Sequence, residues 1–219
     1  MIPNPYMIVV FDLDGTLLDT SSGIIAAIRR TVSELMMEPL SLDVLRTFIG
    51  PPVQDSFARV YGMSKEDANA TAAIFRNYYK QSEYLLQARP YDGIYEVCDT
   101  LTKSNIPVAV ATYKRQDYAE AILNHFGFNK YTKAFYGADF EGKLTKSDII
   151  LQCLNDYGIS DASKALMIGD TSYDAIGAQK LQIPFLGVSY GFGFRNKEEI
   201  DEYPNIGLAH TAINILDFI

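Results

Sequence analysis

The segment VVFDLDGT, residues 9–16, indicates the fold. Its apolar run ends abruptly on two carboxylates one residue apart, Asp12 and Asp14, and Gly15 and Thr16 follow at once. These residues also suit an ordinary strand-ending turn. A short, β-branched apolar run is, however, typical of a strand buried in a parallel sheet, and ligands bind at the carboxyl ends of such strands. Two acids there would repel each other, so a shared divalent cation would offset part of that cost.

Composition narrows the class of protein. The chain has 219 residues, a net charge of −8 and two cysteines. The acidic balance argues against a nucleic-acid-binding surface. Cys98 and Cys153 lack metal-ligand spacing, so we expect them to be reduced core residues. Because no signal-peptide pattern or membrane-length apolar run is present, we expect a cytoplasmic protein that acts without nucleic acid or membrane.

The hydrophobic pattern changes near position 89. Residues 19–88 have only helical periodicity, including a helix with its N-cap at Ser64 that is predicted to continue to about Leu86. Beyond that point, apolar runs alternate with helical segments; the predicted strands are 107–112, 134–136, 165–168 and 185–188. This alternation predicts an α/β fold with a doubly wound parallel sheet. The predicted core is 1–18 and 89–219, and 19–88 is an inserted, all-helical cap domain.

Polar residues follow the later strands as well. Thr112 ends the second strand, Lys146 begins the helix after the third, and Asp170 and Asp174 follow the next. Carboxyl ends of parallel strands meet at one edge of the sheet, so we expect these side chains to converge on the two acids of the first strand. An oxygen-rich set of this kind suits Mg²⁺, which binds a few carboxylates together with substrate phosphate.

These motifs, in their order and spacing, resemble the four motifs of the haloacid dehalogenase-like (HAD) superfamily. The carriers of the resemblance are Asp12-x-Asp14-x-Thr16, Thr112, Lys146 and Gly169-Asp170-x-x-x-Asp174. The helical insertion resembles the first cap class of that superfamily. Over nearly its whole length the chain looks most like the phosphoglycolate phosphatase-like branch, and the cap loop FIGPP, residues 48–52, is similar to that of HAD-type 5′-nucleotidases.

Two positions depart from the family pattern. Tyr113 stands where the family often has Asn, and Ser147 follows Lys146 where Pro is frequent. Lys114 and Lys143 are therefore rival candidates for the motif lysine. We favour Lys146 because it directly precedes a helical pattern, and we expect the two rivals to be solvated surface charges.

The resemblance implies a phosphatase that forms an aspartyl phosphate. Asp12 would be the nucleophile. Asp14 would protonate the leaving alkoxide and then deprotonate the hydrolytic water. Thr112 and Lys146 would hold the non-bridging phosphoryl oxygens.

The resemblance also implies that Mg²⁺ is the cofactor. Its ligands would be Asp12, Asp170 and the main-chain carbonyl of Asp14. Asp174 would lie in the outer shell of the metal, although its alternative role is that of an acid stabilised at a helix N-terminus.

The substrate is expected to be a small phosphate ester, and the cap is expected to select it. A carboxylate-bearing phosphate such as phosphoglycolate is slightly favoured over a nucleoside 5′-monophosphate. Arg46 and Arg59 flank the cap loop and are candidates to bind a second anionic group, although solvated helix arginines are the simpler interpretation of each. Rival functions are a sugar phosphomutase, a dehalogenase, which Asp14 argues against, and a phospho-accepting receiver module, which would be shorter and uncapped.

Overall fold

The computed structural model describes residues 5–219 and divides into two compact units. One unit contains the described residues up to Leu18 together with Pro90–Ile219, and the other is Asp19–Arg89. The sequence-based boundary differs from this division only at position 89. None of the described helices has the length and apolar character needed to cross a membrane.

The first unit contains a six-stranded parallel sheet, whose strands are β1 (Ile8–Phe11), β4 (Val108–Arg115), β5 (Phe135–Ala138), β6 (Ala165–Gly169), β7 (Phe185–Val188) and β8 (Gly207–Ala209). The strand order in the sheet is β5-β4-β1-β6-β7-β8. Its helices are α6 (Ile94–Lys103), α7 (Gln116–His125), α8 (Lys146–Asp156), α9 (Ser172–Lys180) and α10 (Lys197–Ile200), with 3₁₀ turns at Phe128–Lys130, Ala162–Lys164 and Ala212–Phe218. The doubly wound parallel sheet predicted from the sequence is confirmed.

The first strand lies at the centre of the sheet. All four residues of β1 are buried, as expected for a strand with a neighbour on each side and helices on both faces. Ile8 and Val10 pack in one core cluster with Ile149 and Ile150 of α8. Side chains alternate along a strand, so Val9 and Phe11 project to the opposite face.

The second unit is a bundle of five helices: α1 (Ser21–Glu34), α2 (Leu42–Arg46), α3 (Val53–Tyr61), α4 (Lys65–Tyr79) and α5 (Ser82–Leu85). Phe57 is fully buried within it, with its ring 5.1 Å from that of Phe48. Ser64 caps α4 as predicted, since its side chain accepts a hydrogen bond from the Asp67 main-chain N–H.

Two details of the insertion differ from the sequence prediction. The prediction of a single helix that continues to about Leu86 is wrong, because α4 ends at Tyr79 and α5 begins at Ser82. Gln81, between them, has extended backbone, and this break carries no Gly or Pro signal. The two ends of the insertion also form short strands, β2 (Leu18–Asp19) and β3 (Arg89–Pro90), which pair with each other.

Candidate active site

The carboxyl ends of β1 and β6 place two acids side by side. Asp12 directly follows β1, and its main-chain N–H donates a hydrogen bond to the carbonyl of Ile168 at 2.8 Å. Asp170 directly follows β6. Because the two strands are hydrogen-bonded neighbours, both acids lie at the same edge of the sheet.

Three buried carboxylates gather at this edge. Asp12, Asp170 and Asp174 each place an oxygen within 4.8 Å of the other two, and none is more than 5% exposed. The ammonium of Lys146 lies between two of them, 2.5 Å from Asp12 Oδ1 and 2.6 Å from Asp174 Oδ1. The structure thus brings together four of the residues that the sequence motifs predict.

Burial and the repulsion between neighbouring acids disfavour the ionised forms of Asp12 and Asp170. Burial raises the pKa of Asp12 to about 7, with Asp174 and Asp14 adding to the rise and Lys146 opposing it. Burial, together with Asp174 and Asp12, raises the pKa of Asp170 well above its usual range. Burial lowers the pKa of Lys146, but the two carboxylates it contacts more than compensate and leave it raised. A divalent cation among the three acids would favour their ionised forms.

Asp170 is enclosed by glycines. Its Oδ2 accepts hydrogen bonds from the main-chain N–H groups of Phe192 and Gly193, at 2.7 and 3.2 Å. A Cβ atom at Gly15 would lie 2.3 Å from Asp170 Oδ2, and one at Gly191 would lie 2.4 Å from it. Only residues without side chains allow the two loops to approach the carboxylate this closely.

Asp174 has a structural role as well as its place in the cluster. It is the third residue of α9, and its Oδ2 accepts hydrogen bonds from the Thr171 main-chain N–H and hydroxyl, which completes a capping box. Its other oxygen pairs with Lys146. One acid therefore fixes the start of α9 and the position of the lysine.

Tyr113, the departure from the family pattern, contacts the helix that carries Lys146. Its hydroxyl accepts a hydrogen bond from the Lys146 main-chain N–H at 2.9 Å. That N–H lies in the first turn of α8, where main-chain donors have no partner within the helix. Thr145 and Asp148 form a capping box at the same helix end. The motif lysine is thus held at both its main chain and its ammonium.

The prediction that Lys114 is a surface charge is wrong. Its side chain is 4% exposed, and its ammonium lies 3.0 Å from Asp14 Oδ1. Lys114 follows Thr112 by two residues in β4, so the two side chains project to the same face of the strand. Lys143 is exposed and pairs with Glu141, as expected of a surface lysine.

Thr112 and Asp14 occupy the same buried edge but lie outside the cluster of three carboxylates. Thr112 is 1% exposed, and its hydroxyl accepts a hydrogen bond from the Lys114 main-chain N–H at 3.1 Å. The side chain of Asp14 contacts Lys114. Its carboxylate is not part of the cluster in which the oxygens of Asp12, Asp170 and Asp174 lie within 4.8 Å of one another.

The sequence indicated Lys114 only as a rival for the motif lysine and predicted it at the surface, and it did not indicate the loop at Gly191–Gly193. Lys114 had a signal, because a strand that continues past Thr112 places the residue two positions on at the same face. The loop had a weaker one, since its two glycines follow a buried strand at the ligand-binding edge of the sheet.

The buried acids fit a divalent metal. Asp170 Oδ1 is buried and has no hydrogen-bond partner among residues 5–219, while its other oxygen is fixed by two main-chain donors. An unpartnered buried carboxylate oxygen is costly unless a ligand satisfies it. The atoms that could bind a metal here are all carboxylate oxygens, which suits a hard cation such as Mg²⁺.

The sequence of the chain is similar to those of known hydrolases. The family described as haloacid dehalogenase-like hydrolase matches residues 9–188. A 5′-nucleotidase of Pseudomonas aeruginosa is 35% identical over 192 residues, covering 86% of this chain and 85% of the relative. A phosphoglycolate phosphatase of Agrobacterium fabrum is 28% identical over 189 residues, covering 84% and 80%.

A solved structure, that of a predicted phosphatase from Clostridium acetobutylicum, superimposes with a TM-score of 0.89 and 33% identity, covering 97% of this chain and 99% of that one. The chain therefore belongs to the haloacid dehalogenase-like hydrolases, and within them it is a phosphoric monoester hydrolase.

Proposed function

We propose that this protein is a Mg²⁺-dependent phosphatase that hydrolyses a small-metabolite phosphomonoester through an aspartyl phosphate on Asp12. The observation that carries the proposal is the buried contact between Lys146 and Asp12, next to Asp170 and Asp174. In this contact a strand-end carboxylate and a cation lie close to further carboxylate oxygens that would suit a divalent metal. Phosphoryl transfer depends mainly on such positioning and neutralisation of charge.

The first half-reaction transfers the phosphoryl group to the protein. A carboxylate oxygen of Asp12 attacks phosphorus and the bond to the ester oxygen breaks. Lys146 and the hydroxyl of Thr112 bind the non-bridging oxygens, and Asp14 gives a proton to the departing alkoxide. Mg²⁺, held by Asp12, Asp170 and the main-chain carbonyl of Asp14, would lower the repulsion between nucleophile and phosphate dianion.

The second half-reaction releases phosphate. Asp14, now ionised, takes a proton from a water molecule that attacks the acyl phosphate, which restores Asp12 and returns the proton to Asp14. Asp174 keeps Lys146 in place throughout. Two neighbouring acids thus fill different roles because their surroundings differ: Asp12 contacts Lys146, and Asp14 contacts Lys114.

Phosphate release from p-nitrophenyl phosphate tests this proposal. We expect EDTA to abolish release and Mg²⁺ to restore it, while Ca²⁺ does not, because its larger and looser coordination misplaces the nucleophile. Full activity in chelator would contradict the proposal. A phosphomutase would exchange phosphate between sugar phosphates instead of releasing it. A receiver module would accept a phosphoryl group once and would not catalyse repeated release of phosphate.

We propose that the unit Asp19–Arg89 selects the substrate, because every residue assigned to chemistry belongs to the other unit. Phosphoglycolate-like esters remain the first candidate. Arg59 already donates to the carbonyl and hydroxyl of Thr47, both at 3.0 Å, which leaves Arg46 to bind a substrate carboxylate. The Arg46–Asp43 pair is exposed and therefore weak, so a substrate anion can replace it.

A nucleoside 5′-monophosphate is the second candidate substrate. The similarity to the Pseudomonas aeruginosa 5′-nucleotidase favours it. A panel of both classes of ester, compared by kcat/KM, distinguishes the two candidates.

A further inference from the structure

We infer that Lys114 is a positioning residue that orients the carboxylate of Asp14 for its two proton transfers. The inference rests on the proposed function, in which Asp14 is the general acid and base. Its starting point is the buried ion pair between Lys114 Nζ and Asp14 Oδ1, at 3.0 Å.

The burial of this pair is its first notable property. The two side chains are 4% and 10% exposed. Removing an ammonium and a carboxylate from water costs more free energy than the pair typically returns, so a buried pair is weak evidence for stability. A role in placing the carboxylate explains why a lysine occupies this position.

The main chain that carries Lys114 is fixed from two sides. Its N–H donates to the Thr112 hydroxyl, and the register between β4 and β5 shifts between Ala111 and Arg115. The amide of Gln116 spans this irregularity, donating to the Phe135 carbonyl at 2.8 Å and accepting from the Gly137 N–H at 2.5 Å. The lysine therefore extends from a strand end whose main chain and following residue have defined hydrogen-bond partners.

The two buried lysines of the site divide the acids between them. Lys146 contacts Asp12 and Asp174, whereas Lys114 contacts Asp14. Asp14 directly precedes Gly15, whose backbone is left-handed with φ of 88°, so the chain turns immediately after the acid. A cation on one carboxylate oxygen restricts the side-chain rotation of an acid that lies between a strand end and a turn.

The experiment compares Lys114→Met with Lys143→Met, a matched control at an exposed lysine. Substrates are p-nitrophenyl phosphate, whose anion leaves without a proton, and an alkyl phosphomonoester, whose alkoxide needs one. Loss of a correctly placed general acid should therefore lower kcat/KM for the alkyl ester at least about tenfold more than for the aryl ester. Hydrolysis of the acyl phosphate also needs Asp14, so Lys114→Met should give a burst of p-nitrophenolate that the control lacks.

Equal losses on the two substrates, or no loss, would overturn the inference. The double variant Asp14→Asn/Lys114→Met keeps the test valid if the single variant does not fold, because it leaves no unpaired charge behind. Its kcat/KM on p-nitrophenyl phosphate should equal that of Asp14→Asn alone, since a residue that acts through Asp14 adds nothing once Asp14 is gone. An additional loss in the double variant would contradict the inference.

The wild-type protein separates this inference from the proposed function. If it releases no phosphate from either ester, the proposed function fails. If it turns over both esters and the Lys114 variants behave like the Lys143 control, only the role of Lys114 is wrong.

Discussion

At the scale of single residues, the surroundings of Asp170 are closely constrained. Two main-chain donors hold one oxygen and glycines pack against it, while Oδ1 has no hydrogen-bond partner in the part of the chain that the structure describes. Loop and acid together define where a cation can bind. The free energy that this arrangement costs is recovered only when a ligand satisfies the buried oxygen.

Gly191→Ala tests this arrangement. Its Cβ would lie 2.4 Å from Asp170 Oδ2, so the acid or the loop must move. We expect the Mg²⁺ concentration for half-maximal activity to rise at least about tenfold, a loss of ~1.4 kcal/mol in apparent metal binding. Titration of activity with Mg²⁺ measures it.

Gly158→Ala is the control for that experiment. A Cβ atom there meets nothing within 4 Å, although its φ of 65° makes the substitution strained. It should lower the free energy of unfolding by about 1 kcal/mol without changing the Mg²⁺ requirement. A similar Mg²⁺ shift in both variants would mean that general destabilisation, not the position of Asp170, controls metal binding.

At the scale of elements, the first turn of α8 determines where the motif lysine lies. Tyr113→Phe keeps the ring and removes the hydroxyl that accepts the Lys146 N–H. We expect a loss of about 1 kcal/mol in the free energy of unfolding and a several-fold lower kcat/KM on every phosphate ester. Denaturant unfolding and steady-state kinetics measure the two effects.

Tyr157→Phe, at the opposite end of the same helix, is the matched control. The Tyr157 side chain is partly exposed, and its loss of a hydroxyl should change neither quantity. Unchanged kinetics in Tyr113→Phe would show that Lys146 keeps its position without the tyrosine.

Elements with a strong apolar pattern were predictable, and those defined by tertiary contacts were not. The strands β1, β6 and β7 could be predicted because every residue in them is buried, and such strands appear in a sequence as nearly continuous apolar runs. β4 continues to Arg115, beyond the predicted Thr112, since pairing with β5 extends it through polar residues that look like a loop. β8 is three residues long at the sheet edge, too short for a period to show.

The site residues divide in the same way. The acids at strand ends and Lys146 could be predicted because they occupy fixed places in a motif. The burial of Lys114 was harder to predict, since a Tyr-Lys-Arg sequence has the composition of a surface and strand alternation beyond Thr112 is its only sequence signal. The ion pair with Asp14 helps to make the burial of this lysine tolerable. The loop around Asp170 is distant from it in sequence, and the position of its glycines after a buried strand does not by itself indicate that the loop packs against Asp170.

At the scale of the whole molecule, chemistry and selection are proposed to belong to different units of the chain. Arg46→Ala should lower kcat/KM for phosphoglycolate at least about tenfold, a loss of ~1.4 kcal/mol, and leave p-nitrophenyl phosphate nearly unaffected. The physical reason is that only the first substrate has a second anion for the guanidinium to bind.

Arg29→Ala removes another exposed arginine of the same unit and serves as the control. This variant should leave kcat/KM unchanged for both substrates. Equal losses on both substrates in Arg46→Ala would indicate an effect on folding or on chemistry, and the proposed division between the two units would be wrong.

The most direct test of the account is the identification of the covalent intermediate. Enzyme turning over p-nitrophenyl phosphate with Mg²⁺ is quenched in acid and reduced with borohydride, which converts an aspartyl phosphate to homoserine, and its peptides are analysed by mass spectrometry. We predict homoserine at position 12 and nowhere else, and no conversion in Asp12→Asn, which should also lose nearly all turnover. Conversion at position 14, or rapid turnover in Asp12→Asn, would contradict the account.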